Sequence, residues 1–231
     1  MMGGLRRLVL IILIGWTAVQ THAQSDPEYM MEIGGGIGLM GYLGDFNGTP
    51  TRDLQPMGTA VLRRIFTPYQ ALRLSASAGK IKGASNDVET YYPDMATLPY
   101  TFNNTLVDLS LTYEYNFWPY GTGRDYRGAR RLVPFVFMGL GGTFVKGQDD
   151  NELTANVPMG LGVKYKIGDR LNLGVEWGIH FSMSDLLDGR KDPYHVESSG
   201  MFKNTDCYSA LQVTLTYSFM AKCKVCHNED E

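Results

Sequence analysis

The sequence predicts an all-β fold: an eight-stranded antiparallel transmembrane β-barrel of the outer-membrane type. Three observations carry this. Long segments alternate apolar and polar residues with a period of two, an export signal opens the chain, and the connections alternate between short and long. The clearest alternation runs from Thr105 to Phe117. Val107, Leu109, Leu111, Tyr113, Tyr115 and Phe117 share one face, and Leu106, Asp108, Ser110, Thr112, Glu114 and Asn116 share the other. Successive strand side chains point to opposite sides, so such a segment has one apolar face and one largely polar face. A soluble sandwich or a lipocalin-like barrel alternates too. Strand length, export and aromatic residues near the strand ends favour the membrane.

Taken in order, the chain begins with Arg6 and Arg7, the apolar run Leu8–Val19 and the small residues around Thr21-His22-Ala23. This is the pattern of a secretory signal peptide, residues 1–23, cleaved after about Ala23. Its apolar run is too short for a comfortable membrane-spanning helix. Gln24, not Cys, then starts the mature chain, which argues against a lipoprotein.

The barrel is assigned to residues 24–219 and a periplasmic tail to 220–231. In the first strand, Tyr29–Leu43, Tyr29, Met31, Ile33, Ile37 and Leu39 oppose Glu32, Gly34, Gly36 and Gly38. Small residues on an inner face suit a narrow barrel. Met57–Phe66 and Ala71–Ile81 follow; in the latter, Leu72, Leu74, Ala76 and Ala78 oppose Arg73, Ser75, Ser77 and Gly79. Thr105–Phe117 is the fourth strand and Leu132–Val145 the fifth. In Val157–Ile167 and Leu171–Ser182 alternation returns, with Leu161, Val163 and Tyr165 against Gly162 and Lys164, and Val175 and Trp177 against Glu176 and Gly178. Tyr208–Phe219 closes the set.

With the N-terminus on the periplasmic side, the inner connections are Thr67–Gln70, Trp118–Arg131 and Gly168–Arg170. The outer ones are Gly44–Pro56, Lys82–Asn104, Lys146–Asn156 and Met183–Cys207. Short turns inside and long loops outside are usual for such barrels. Trp118–Arg131 departs from the rule: it is long, glycine-rich and basic. Its Arg124, Arg127 and Arg130, with Cys223 and Cys226 of the tail, are the candidate partner-docking residues. Phe117, Trp118, Tyr120, Tyr165, Tyr217 and Phe219 fall near the inner rim, where amphipathic rings favour the membrane interface.

The polar faces carry Glu32, Asp108, Glu114 and Glu176 against Arg73 and Lys164, with Arg63 a further candidate. Eight strands leave an interior that side chains can fill. An unpaired buried charge is costly, so both signs together predict a structural ion network in a plugged lumen. Lys166 is expected at the inner rim, reaching solvent.

Other chemistry is weakly signalled. His180 and Ser182 share a face and Asp185 follows, yet strand neighbours are close by default, and His195 with Asp192 is equally unspecific. No enzyme is assigned. Cys223-Lys224-Val225-Cys226-His227 spells the haem c attachment pattern on a short acidic tail without an evident Met ligand. A disulfide or a metal-ligand pair suits the oxidising compartment better, and neither cofactor nor metal is assigned. Cys207 sits at the opposite end of the last strand. Scattered basic residues and a net charge of −3 exclude a nucleic-acid partner. Mean hydropathy of −0.17 fits a barrel, half of whose strand residues face inward.

Several segments resemble PorG-type outer-membrane proteins. They include Glu32-Ile33-Gly34-Gly35-Gly36-Ile37-Gly38 running to Tyr42-Leu43-Gly44-Asp45-Phe46-Asn47, and Glu114-Tyr115-Asn116-Phe117. Pro158-Met159-Gly160-Leu161-Gly162-Val163-Lys164-Tyr165-Lys166 with Asn172-Leu173-Gly174-Val175-Glu176-Trp177-Gly178 is the most specific part. The resemblance implies a non-enzymatic scaffold of the type IX secretion apparatus, set among outer-membrane lipid. Its implied partners are a periplasmic ring lipoprotein and that protein's own partner. The alternative is a generic small barrel that stabilises the envelope or binds a ligand through its outer loops.

Overall fold

A computed structural model describes residues 27–43, 53–84, 101–122, 128–146, 151–183 and 207–221. The signal segment, most of the outer connections, Arg124, Arg127, Asp185, Asp192, His195 and both tail cysteines lie outside the described residues. The strands are β1 (Tyr29–Leu43), β2 (Gln55–Thr67), β3 (Gln70–Ala84), β4 (Thr101–Asn116), β5 (Leu132–Lys146), β6 (Asn151–Lys166), β7 (Leu171–Ser182) and β8 (Cys207–Ala221). They pair in chain order and close into one antiparallel barrel. The β1–β8 ladder makes the closure, from Tyr29 opposite Ala221 to Leu43 opposite Cys207.

Outward positions of β1–β8 form a belt of exposed apolar side chains. Ile37 is 76% exposed, Leu140 68% and Leu153 75%, and Leu109, Leu161 and Val213 lie in the same belt. Water would penalise such a surface at roughly 25 cal/mol per Å². A hydrocarbon environment removes the penalty, and the closed ladder leaves no unpaired edge inside it. Phe117, Trp118, Tyr165 and Tyr217 are exposed at the inner end of the belt.

Glycine lets the closing strands approach. A Cβ on Gly34 would lie 2.0 Å from the Leu215 carbonyl oxygen, and one on Gly36 2.2 Å from that of Val213. Larger residues at these β1 positions would force the ladder apart.

Two expectations change. The outer connection expected at Lys146–Asn156 is mostly ladder, because β6 begins at Asn151 and pairs from there with Lys146. The polar Asn and Thr of this stretch resemble loop residues, yet Thr154 and Asn156 face inward and Leu153 outward. The interior is also not polar throughout. Near the outer strand ends Met40, Tyr42, Met57, Ile81, Leu106, Val145, Tyr208 and Ala210 form a buried apolar cluster.

Candidate functional site

Below that apolar cluster the inward charges meet. Glu114 of β4 lies at the centre: Arg63 Nε of β2 is 2.8 Å from its Oε2, and Arg73 Nε of β3 is 3.3 Å from its Oε1. Lys164 of β6 donates to the same carboxylate and, at 3.2 Å, to Asn116 Oδ1. Arg63 reaches on to Glu32, and Arg73 to Glu176. Gln212 also donates to Glu176, and Thr216 donates to Glu32 at 3.3 Å. Three carboxylates thus face three cations. All six residues are buried, which is tolerable because each charge is paired and hydrogen-bonded.

β5 contributes no charge to this layer. It supplies Phe135 and Phe137, with Lys164 Nζ 4.3 Å from the first ring centroid and the Arg73 guanidinium 4.7 Å from the second. Glycines make the room. A Cβ on Gly162 would meet Phe135 at 2.7 Å, and one on Gly160 would meet Phe137 at 2.6 Å.

Asp108 stands apart from the central network. It accepts hydrogen bonds from Ser110 (2.6 Å), Thr143 (3.1 Å) and Asn156, and lies 3.8 Å from His180 Nδ1. The His180 and Tyr208 rings stack at 4.4 Å, with Nδ1 and the phenol oxygen 2.8 Å apart. Ser182 donates to Thr154 at 3.4 Å. Asp108 therefore anchors a separate hydrogen-bonded group rather than pairing with arginine or lysine.

The inner mouth is covered by the β4–β5 connection. Tyr120 N–H donates to the Pro68 carbonyl at 3.1 Å, and Gly121 and Arg130 join the two arms of the connection. The Tyr120 hydroxyl donates to Asn172 Oδ1 at 2.9 Å. Burial, and after it the charge of Glu32, push this phenol well above its ordinary range, so it stays a protonated donor. Glu28, just ahead of β1, accepts from the Thr122 N–H at 3.0 Å, and its other oxygen lies 3.3 Å from Lys166 Nζ.

Lys166 thus does not reach solvent: it is 4% exposed, paired with Glu28 and set near the rings of Tyr29 and Tyr120. Folding of the connection beneath the barrel is the cause. Tyr120 correspondingly leaves the lipid-facing girdle for the mouth. Arg130 remains exposed, 4.5 Å above the Trp118 ring. Among the described residues one cavity lies beside His180 and Gln212 and another between Glu28 and Lys164, each with room for about one water.

Glu28, Phe135 and Phe137 were not among the sequence-derived site residues. For the two phenylalanines a signal existed: Gly160, Gly162 and Gly178 leave inward slots that large residues on a neighbouring strand fill, and Phe135 falls opposite Gly162 and Phe137 opposite Gly160 in the β5–β6 ladder. For Glu28 there was none, since its role depends on how the connection folds.

Residues 6–228 match the model of a family described as "Domain of unknown function (DUF6089)". No curated protein sequence matches the chain. Among solved structures, Neisserial surface protein A (NspA) is similar at 10% identity, covering 82% of this chain and 97% of that one, with a TM-score of 0.48. Ail, the attachment invasion locus protein of Yersinia pestis, in complex with the heparin analogue sucrose octasulfate, is similar at 13% identity over 84% and 100%, TM-score 0.48. The outer membrane protein OprG of Pseudomonas aeruginosa is similar at 12% identity over 86% and 99%, TM-score 0.46. At such identities the likeness is one of outline and carries no residue across.

Proposed function

We propose, from the premise that this chain belongs to the family described as "Domain of unknown function (DUF6089)", that it is a non-enzymatic outer-membrane barrel acting as a scaffold. In this reading it anchors the type IX secretion apparatus and docks a periplasmic ring through its inner face. The covered inner mouth carries the reading. A lumen filled with paired ions and covered by Pro119–Thr122 suits a holder better than a conduit. The same connection presents Trp118, Arg130 and Arg131 outward, a basic and aromatic surface fit for an acidic partner. The resemblance to PorG-type proteins supplies the secretion role and the ring.

The test is a pull-down of tagged protein from detergent-solubilised envelopes, comparing the intact chain, one ending at Phe219, and one with Trp118–Arg131 replaced by a short turn. Recovery of a ring lipoprotein with the intact chain supports the scaffold. Loss on truncation assigns docking to the tail, and loss on replacement assigns it to the connection. Recovery of all three alone sinks the secretion role in favour of a free-standing barrel acting through its outer loops.

A further inference from the structure

Cations on the two sides of the barrel wall are treated differently. Arg63, Arg73, Lys164 and Lys166 face inward, and each lies on a carboxylate. Arg64, next to Arg63, points outward, and Arg170 is exposed in the β6–β7 turn; neither has a carboxylate partner among the described residues. Both are nevertheless held. The Arg64 guanidinium lies 5.8 Å from the Phe66 ring centroid, leaning toward the inner strand end. Arg170 lies 5.7 Å from the Tyr29 centroid and 6.0 Å from that of Tyr217, and its Nη1 donates to the Tyr217 hydroxyl at 2.9 Å.

Position selects the missing anion. Arg64 sits within the apolar belt, between Leu62 and Phe66 along β2 and opposite Met31 and Leu72 on its neighbours. A guanidinium there must extend along its own stem to the nearest charged layer. A soluble protein does not reach into that belt, whereas lipid headgroups border it. Aromatic rings mark the headgroup level at the same rim, and the guanidinium fork matches two phosphate oxygens. We propose that Arg64 and Arg170 bind the phosphate groups of phospholipids in the leaflet bordering the inner rim, with anionic headgroups preferred. This rests on the membrane placement proposed above.

The experiment uses the full mature chain refolded into nanodiscs of phosphatidylcholine containing a minor share of phosphatidylglycerol. Lipids retained by the protein are counted by native mass spectrometry. Phosphatidylglycerol is expected to be enriched over its bulk share. Arg64→Gln and Arg170→Gln should each weaken its retention about fivefold, the effect of one basic residue at an anionic surface. Arg64→Lys should keep part of it, as a charge without the fork. Equal retention by the double Gln variant and the parent overturns the inference, as does displacement of the lipid by excess inorganic phosphate. If the parent chain fails to insert into bilayers at all, the membrane placement itself falls; insertion without enrichment removes the lipid site alone.

Discussion

Glu114 draws three cations onto one carboxyl group, so a substitution there unbalances the whole network. Glu114→Gln leaves Arg63 with Glu32 and Arg73 with Glu176, and takes from Lys164 the carboxylate it is paired with. Removing one member of a buried ion pair costs about 3–5 kcal/mol. Urea unfolding of the detergent-folded barrel should show that loss. Adding Lys164→Met to Glu114→Gln should give a total smaller than the sum of the two single losses, since both remove parts of one network. Strict additivity would mean that Lys164 and Glu114 do not share their stabilisation. At the inner mouth the stakes are smaller. Tyr120→Phe deletes one hydrogen bond, to Asn172, and should cost about 1 kcal/mol. Faster amide exchange at Gly121 and Thr122, with the strand amides unchanged, would be its signature.

β5 and β6 show what packs the elements together. Phe135 and Phe137 occupy slots that Gly160, Gly162 and Gly178 leave open on β6 and β7. Gly162→Val puts methyl groups into the Phe135 ring and should destabilise by about 1–3 kcal/mol, the usual cost of overpacking. A midpoint in urea equal to the parent's would show that the slot is not filled. Strand number, strand order and the face of each residue were legible because a period of two needs only local sequence. β1 and β7 were legible to their ends. The outer start of β6 was not, because Asn151–Asn156 uses residue types that also build loops. The network was legible as charges of both signs but not as pairs. Arg63, Glu114 and Lys164 come from β2, β4 and β6, none of them adjacent, and meet only across a closed lumen. Burial of Lys166 was hidden for a related reason: its partner Glu28 and its cover Tyr120 belong to segments without periodicity.

As a whole the molecule combines an apolar exterior, a charge-paired interior and a covered inner mouth. Reconstituted in a planar bilayer, it should pass no ion current, and stepwise currents from the intact chain would contradict a filled lumen. The ladder between β1 and β8 has a consequence for manufacture rather than for use. Every other neighbouring pair is joined directly through the chain, while this one unites its two ends and so carries the largest loop-closure entropy. It is the suture of the barrel, sewn after the other seven ladders have brought its margins together. At Gly34 and Gly36 that margin carries no side chain, so there the last strand closes directly against backbone. A bulky residue at Gly34 should therefore slow insertion into liposomes, a defect of birth, whereas the loss of Glu114 weakens the finished barrel.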